Sequence, residues 1–223
     1  KALLLDGPSA HQALVQGSDV LVVCVKPHQV RSALETVTPF LNPGTVVASI
    51  AAGITLKQLS APLPEHQPCV RVMPNVGAAA GASATALSGA DSNAVAQVAR
   101  VFDEVGSTRQ VPESYLAVVT ALAGSGPAFF LLALEALQDG AVAEGLPSDL
   151  AKHFAGETLR SVAALLEHEP QTAFESIRRR VTSPGGTTAA GLRALERAGA
   201  RAGMIDAIAA ACARATALSS GES

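Results

Sequence analysis

The stretch Asp19-Val20-Leu21-Val22-Val23-Cys24-Val25-Lys26-Pro27 holds six consecutive apolar residues closed by a charge and a proline. A run without alternation fits a parallel strand covered on both faces, since a strand with one wet face would alternate. Downstream, Val30, Ala33, Leu34 and Val37 recur at helical spacing until Pro39, and Pro43-Gly44 turns the chain into a second buried strand, Thr45-Val46-Val47-Ala48-Ser49-Ile50. Thr55 to Leu59 reads as a short helix. Pro68-Cys69-Val70-Arg71-Val72-Met73-Pro74 reads as a third strand, bounded by prolines that cannot sit inside a ladder. Strands and helices alternating at this pitch make right-handed crossovers in an open α/β sheet. Ligands of such sheets bind at the carboxyl ends of the strands, here Val25-Lys26-Pro27, Ile50-Ala51-Ala52-Gly53 and Met73-Pro74-Asn75.

Asp91 to Val105 places Val95, Val98, Ala99, Phe102 and Val105 on one face, with Gly106 as its C-terminal cap, and Ser107 to Val111 adds an edge strand. From Pro112 the strand signals stop. Proline followed by Glu113 opens a helix in the preferred manner, and nearly everything to Ser219 reads helical. The expected breaks fall at Gly124-Ser125-Gly126-Pro127, Gly145-Leu146-Pro147, Glu169-Pro170 and Ser183-Pro184-Gly185-Gly186. The last helix is read as Met204 to Leu218, followed by a frayed tail from Ser219. The fold class is therefore α/β plus all-α, with a sheet domain over residues 1–111 and a helical domain over 112–223. Val118 to Leu137 is apolar enough to resemble a membrane span, but Thr120, the glycine-proline interruption and Glu135 argue against lipid. It reads as a helix buried by other helices or by a second subunit.

Among 223 residues, 48% are hydrophobic and only 3% aromatic, so the core is built from Ala, Val and Leu. A net charge of -3 with scattered Lys and Arg offers no basic face for nucleic acid. Cys24, Cys69 and Cys212 are too widely spaced for a disulfide framework or a metal site and read as buried small hydrophobes in a reducing compartment. The five histidines, His11, His28, His66, His153 and His168, show no ligand spacing and are placed on the surface. No signal peptide is evident, which points to the cytoplasm.

Val181-Thr182-Ser183-Pro184-Gly185-Gly186-Thr187-Thr188 runs a turn that cannot be helical straight into Ala189-Ala190-Gly191-Leu192. Free amides, hydroxyls and the positive end of a helix dipole converge there, so an anion can be held without a cationic side chain. The plainer alternative is that Thr187 or Thr188 merely caps the helix.

Val25-Lys26-Pro27, Ser49-Ile50-Ala51-Ala52-Gly53-Ile54, Arg71-Val72-Met73-Pro74-Asn75, Ala123-Gly124-Ser125-Gly126-Pro127-Ala128 and Val181 to Thr188 occur in this order, at spacings that resemble the pyrroline-5-carboxylate reductase family. The resemblance covers essentially the whole chain, and the glycine-rich threonine loop is its most specific part. It implies an incomplete Rossmann-type parallel sheet domain followed by a helical, dimer-forming domain. The activity it implies is reduction of a cyclic imine, 1-pyrroline-5-carboxylate, to L-proline with NADPH or NADH, the last step of proline biosynthesis, in a homodimer or higher homo-oligomer.

Carried over by position, Cys24, Val25, Lys26, Pro27, Ile50, Ala51 and Ala52 line the cofactor. Ser183, Gly185, Gly186, Thr187 and Thr188 hold the substrate carboxylate, Glu113 and Glu169 are pocket residues, and Thr188 is the candidate catalytic group at the ring nitrogen. No metal is implied. Either glutamate can instead be an ordinary helix-end acid, Glu169 as readily as a pocket residue.

The resemblance has departures. The glycine loop and first strands of the family do not precede Asp19, and Asp6-Gly7-Pro8 is no substitute; because Lys1 is not methionine, residues ahead of it are expected. Val76-Gly77 stands where the family more often has threonine and proline, and His11 where it has an asparagine. Arg178-Arg179-Arg180 reads as a solvated helix face, with a cofactor phosphate of a neighbouring subunit as the alternative. Two other classes compete: a hydroxyacid-type dehydrogenase, for which Lys152 would be the helix lysine, and a non-catalytic oligomerisation module.

Overall fold

The computed structural model describes residues 8–220. The readings made for Asp6-Gly7-Pro8, for the His11 side chain and for Gly221-Glu222-Ser223 fall outside what it describes. After α1 (Pro8–Gln16), the strands β1 (Val20–Val23), β2 (Val46–Ser49) and β3 (Cys69–Met73) pair in parallel, with Val20 opposite Val46 and Ala48 opposite Val70. The crossovers are α2 (Val30–Val37) and α3 (Leu56–Ser60). Thr55 caps α3 by accepting from the Gln58 amide, while the Gln58 side chain accepts from Thr55 N in return.

β2 is buried at every residue, as a strand covered on both faces must be. Val23, Val47, Leu34, Val30 and Leu59 form the core under α2 and α3. Val46, Ala48, Val70, Val72 and Leu87 form the other, against α4 (Ser92–Asp103) through Ala94, Val95 and Val98. β1 departs from the expectation of full burial. Leu21 and Val23 are covered while Val20 and Val22 are only half-buried, because β1 is the outermost strand of the described sheet.

The sheet has five strands in the order β1-β2-β3-β4-β5. β4 (Ser83–Ser88) runs antiparallel to β3, and β5 (Gly106–Gln110) runs parallel to β4. β4 is absent from the expected elements. Its Ser-Ala-Thr-Ala-Leu-Ser sequence lacks the β-branched apolar residues that mark a strand, yet Ser83, Thr85 and Ser88 are buried. Ser83 and Thr85 satisfy each other through their hydroxyls at 2.8 Å.

Gly106 is not a helix cap. α4 ends at Asp103, and Gly106 opens β5 opposite Ser83, where an added Cβ would strike the Ser83 backbone.

Beyond β5, a 3-10 turn at Glu113–Tyr115 leads into α5 (Leu116–Val119), a π-helical turn at Thr120–Gly124 and α6 (Gly126–Ala143). The expected break at Gly124-Ser125-Gly126-Pro127 is therefore a widened turn inside a continuing helix. α7 (Ser148–His168), α8 (Phe174–Arg180), α9 (Thr187–Arg197) and α10 (Ala200–Ser220) follow. α10 starts at Ala200 rather than Met204, because the positive φ of 76° at Gly199 provides the break, and Ser219 and Ser220 are helical rather than frayed.

The chain forms two compact units, one comprising residues through Gly126 together with those from Ile208 onward, the other Pro127–Ala207. The helix over Glu113–Ala143 and α10 are each long and apolar enough to cross a membrane, and Phe130, Leu131, Leu132 and Leu137 of α6 lie exposed.

Candidate functional site

At the carboxyl ends of β1 and β2 the chain leaves the sheet in two adjacent turns. Cys24, Val25, Lys26 and Pro27 are all exposed, so the burial expected of Cys24 does not occur. Pro27 begins a 3-10 turn that passes into α2, and the Lys26 amide donates to Gln29 Oε1 at 3.3 Å. Ile50 N donates to Val23 O at 3.2 Å, tying the second turn, Ile50-Ala51-Ala52-Gly53, to the first. Ala51 N is held by Ser49 Oγ at 3.3 Å. Gly53 has a φ of 80°, and a Cβ there would lie 3.1 Å from the backbone oxygen of Leu218, so the last turns of α10 rest on it.

The structure thus brings the seven residues assigned to a cofactor onto one edge. A cavity of about 800 Å³ lies elsewhere, at the amino end of β1 between Ser18–Val20 and α4. The strand-end turns are the candidate cofactor edge, because the carboxyl ends of parallel strands are where such sheets receive ligands.

Glu113 sits against the same sheet but level with β3. Its Oε1 accepts from Arg71 Nη1 at 2.8 Å and from the amide of Leu56, the first residue of α3, at 2.7 Å. A cavity of about 500 Å³ opens beside it, lined by Leu56, Ser88, Gln110 and Pro112 among others. Arg71 is only 13% exposed, so this carboxylate supplies the counter-charge for its nearly covered guanidinium. Burial, and then the Glu113 charge, push the Cys69 thiol above its ordinary value. The signal for Arg71 was available in sequence: a cation inside an otherwise apolar strand requires a partner.

In the second unit, Gly186 N donates to Ser183 O at 3.1 Å, with Pro184 and Gly185 at the corners. Gly185 has a φ of 72°, which makes this a type II turn and accounts for glycine at the second corner. Gly186 is the N-cap of α9, with no side-chain cap. Thr187 and Thr188 are consequently the first two helical residues, not caps, and among the described residues no side chain accepts from the first amides of α9. Ser183 Oγ crowds the space a Gly186 Cβ would need.

Glu169 closes α7 in this unit. Both its carboxylate oxygens accept from Arg180 Nη2 at 2.9 Å, and Thr172 Oγ1 reaches Oε2 at 3.2 Å. The Arg180 hydrogen bond leads in holding the Glu169 carboxyl below its ordinary range. Arg178, Arg179 and Arg180 are all exposed, as a solvated face requires, and within it Arg180 pairs with Glu169 and Arg179 with Glu175. Lys152 is exposed on α7.

A family model described as pyrroline-5-carboxylate reductase dimerisation matches residues 113–218, and one described as ketopantoate reductase PanE/ApbA matches residues 5–96. Pyrroline-5-carboxylate reductase of Pisum sativum is 38% identical over 221 residues, covering 95% of this chain and 78% of the relative. The chain belongs to the pyrroline-5-carboxylate reductase family. The Glycine max pyrroline-5-carboxylate reductase is 39% identical, with 92% of this chain and 76% of that protein covered.

Among solved structures, a pyrroline-5-carboxylate reductase from Coxiella burnetii superposes with a TM-score of 0.88 at 32% identity, covering 94% of this chain and 79% of that one. The Plasmodium falciparum pyrroline carboxylate reductase, solved with NADP bound, superposes at 0.83 with 26% identity, covering 94% and 80%. Pyrroline-5-carboxylate reductases thus share both halves of this fold. The region carrying the exposed apolar face of α6 is the one that the family's dimerisation model matches.

Proposed function

We propose that this chain reduces 1-pyrroline-5-carboxylate to L-proline, with its α9 N-terminus holding the substrate carboxylate. Family membership supports the reaction, and the uncapped amides behind Ser183-Pro184-Gly185-Gly186 support the location. A charge-assisted hydrogen bond contributes about 1.5–3 kcal/mol, and ordering and desolvation take part of it back. Two or three such bonds give an affinity on the order of micromolar to millimolar. The Ser183 hydroxyl adds a donor at the mouth of the turn. Thr188 carries a hydroxyl for the ring nitrogen, relayed to water.

The strand-end turns fit a nicotinamide dinucleotide in chemistry: exposed Val25 and half-buried Ile50-Ala51 would offer apolar edge to a flat ring, and exposed Lys26 would supply a positive charge for an anionic linker. When bound, NADPH or NADH supplies the hydride, and the chain's own task is to orient the imine carbon toward it. Positioning is a large part of the rate in a two-reactant transfer, so no strongly acidic or basic side chain is required. Glu169, braced by Arg180, is assigned to supporting the substrate loop, and Glu113 to the wall beside α3. We assign a homodimer or higher homo-oligomer built on the exposed face of α6. The three free cysteines suit the reducing conditions of the cytoplasm.

Thr188→Val in the intact protein tests the substrate loop. The expected result is a raised imine KM and a kcat/KM lowered by about tenfold or more, with NADPH binding by fluorescence nearly intact. Unchanged kinetics would return the loop to a plain helix start.

A further inference from the structure

Pro127 lies four residues after Ala123. In an α-helix the Ala123 carbonyl would accept from the amide of residue 127, but proline has no N–H and its ring presses on that carbonyl. The chain meets both difficulties by widening. Ser125 N donates to Thr120 O across five residues at 3.0 Å, and the Ala123 carbonyl is received instead by Asn75 Nδ2 at 3.0 Å.

The Asn75 carboxamide has its orientation imposed from the other side. Oδ1 accepts from Gly77 N at 3.0 Å and from Ala84 N at 3.3 Å, which leaves only Nδ2 for Ala123. The Asn75 amide itself donates to Ser83 Oγ at 3.2 Å. Gly77 supplies a donor that a proline at this position could not, so the departure at Val76-Gly77 serves this network. Gly124 lies against β3, with the end of the Met73 side chain 2.9 Å from where a Cβ would stand.

We infer that Asn75 is a positioning residue: its carboxamide fixes the π-helical register of Thr120–Gly124 and with it the point at which the Ser125-Gly126 turn meets the carboxyl edge of the sheet. The inference rests on that edge being the cofactor side, as assigned above. A single half-buried side chain thereby ties the end of β3, the start of β4 and the π-helical turn at Thr120–Gly124 into one frame.

The test compares Asn75→Asp and Asn75→Ala, each with and without Pro127→Ala, in the intact protein. Asn75→Asp sets a carboxylate oxygen against the Ala123 carbonyl. Amide exchange across Thr120–Gly126 should accelerate at least about tenfold, and kcat should fall about tenfold with the imine KM within about twofold. Asn75→Ala should act in the same direction.

Pro127→Ala then gives Ala123 an ordinary helical donor, so the melting temperature and exchange protection of Asn75→Ala should recover while kcat does not, because the register has become α-helical. Recovery of kcat together with stability would reduce Asn75 to a structural residue and overturn the inference. So would unchanged exchange in Asn75→Asp, or a risen KM at constant kcat. Should the unaltered protein fail to reduce the imine, the exchange and melting readouts still decide the register, so the two failures are distinguishable.

Discussion

Glu113 shows how one carboxylate can serve two neighbours. It neutralises Arg71 within the sheet and supplies the acceptor at the first amide of α3. Glu113→Gln retains an acceptor for Leu56 but leaves a nearly covered guanidinium without its counter-charge. A loss of about 1–3 kcal/mol is expected in denaturant unfolding. A double-mutant cycle with Arg71→Gln should recover a coupling energy of about 1 kcal/mol or more; additive effects would show that the pair contributes nothing beyond its geometry. If Glu113 also meets the imine, the same variant raises the substrate KM. At this scale the sequence pointed to Glu113 by resemblance and to the threonine loop by its turn chemistry. Asn75 was passed over beyond its place at a strand end, because a carboxamide's partners are set by contacts distant in sequence.

Among the elements, those legible beforehand were the ones with strong local signals. β2 is wholly apolar apart from its last residue, α4 has a regular apolar stripe behind an Asp91 cap, and Gly145 ends its helix with positive φ. β4 lacked any such signal, since alanine and serine have little strand preference of their own and the strand exists because β3 and β5 flank it. The π-helical turn was hidden for a related reason: glycine and proline signal a break locally, and only the Asn75 donor lets the helix continue. Gly106 was mistaken for a cap because a helix end and a close strand pairing both call for glycine.

Gly106→Ala tests the second cause. Its Cβ would collide with Ser83 backbone, which cannot move without unpairing β4 from β5. Unfolding free energy should fall by about 2 kcal/mol or more, with exchange protection lost first in β5. A loss limited to a few tenths would indicate that the edge strand can shift away.

For the molecule as a whole, the α/β-then-helical plan was readable from composition and periodicity, whereas the arrangement of compact units was not, since α10 returns its end to the first. The exposed leucines and phenylalanine of α6 are more apolar surface than a single chain covers. In the homo-oligomer we propose, Phe130→Asp places a charge in the subunit contact. Dimer dissociation should be favoured by about a hundredfold or more, seen as a concentration-dependent shift to monomer in sedimentation. An unaltered sedimentation profile at low concentration would move the contact to another face.

The uncapped start of α9 carries a consequence for how this enzyme is dissected. In the substrate loop proposed above, the anion-binding groups are main-chain amides, which every residue except proline supplies equally, so conventional side-chain scanning is blind to them. Truncating the loop residue by residue would report on hydroxyls and turn shape while leaving the principal donors in place. An amide-to-ester replacement within Thr187–Ala189 would delete one donor and spare the side chain.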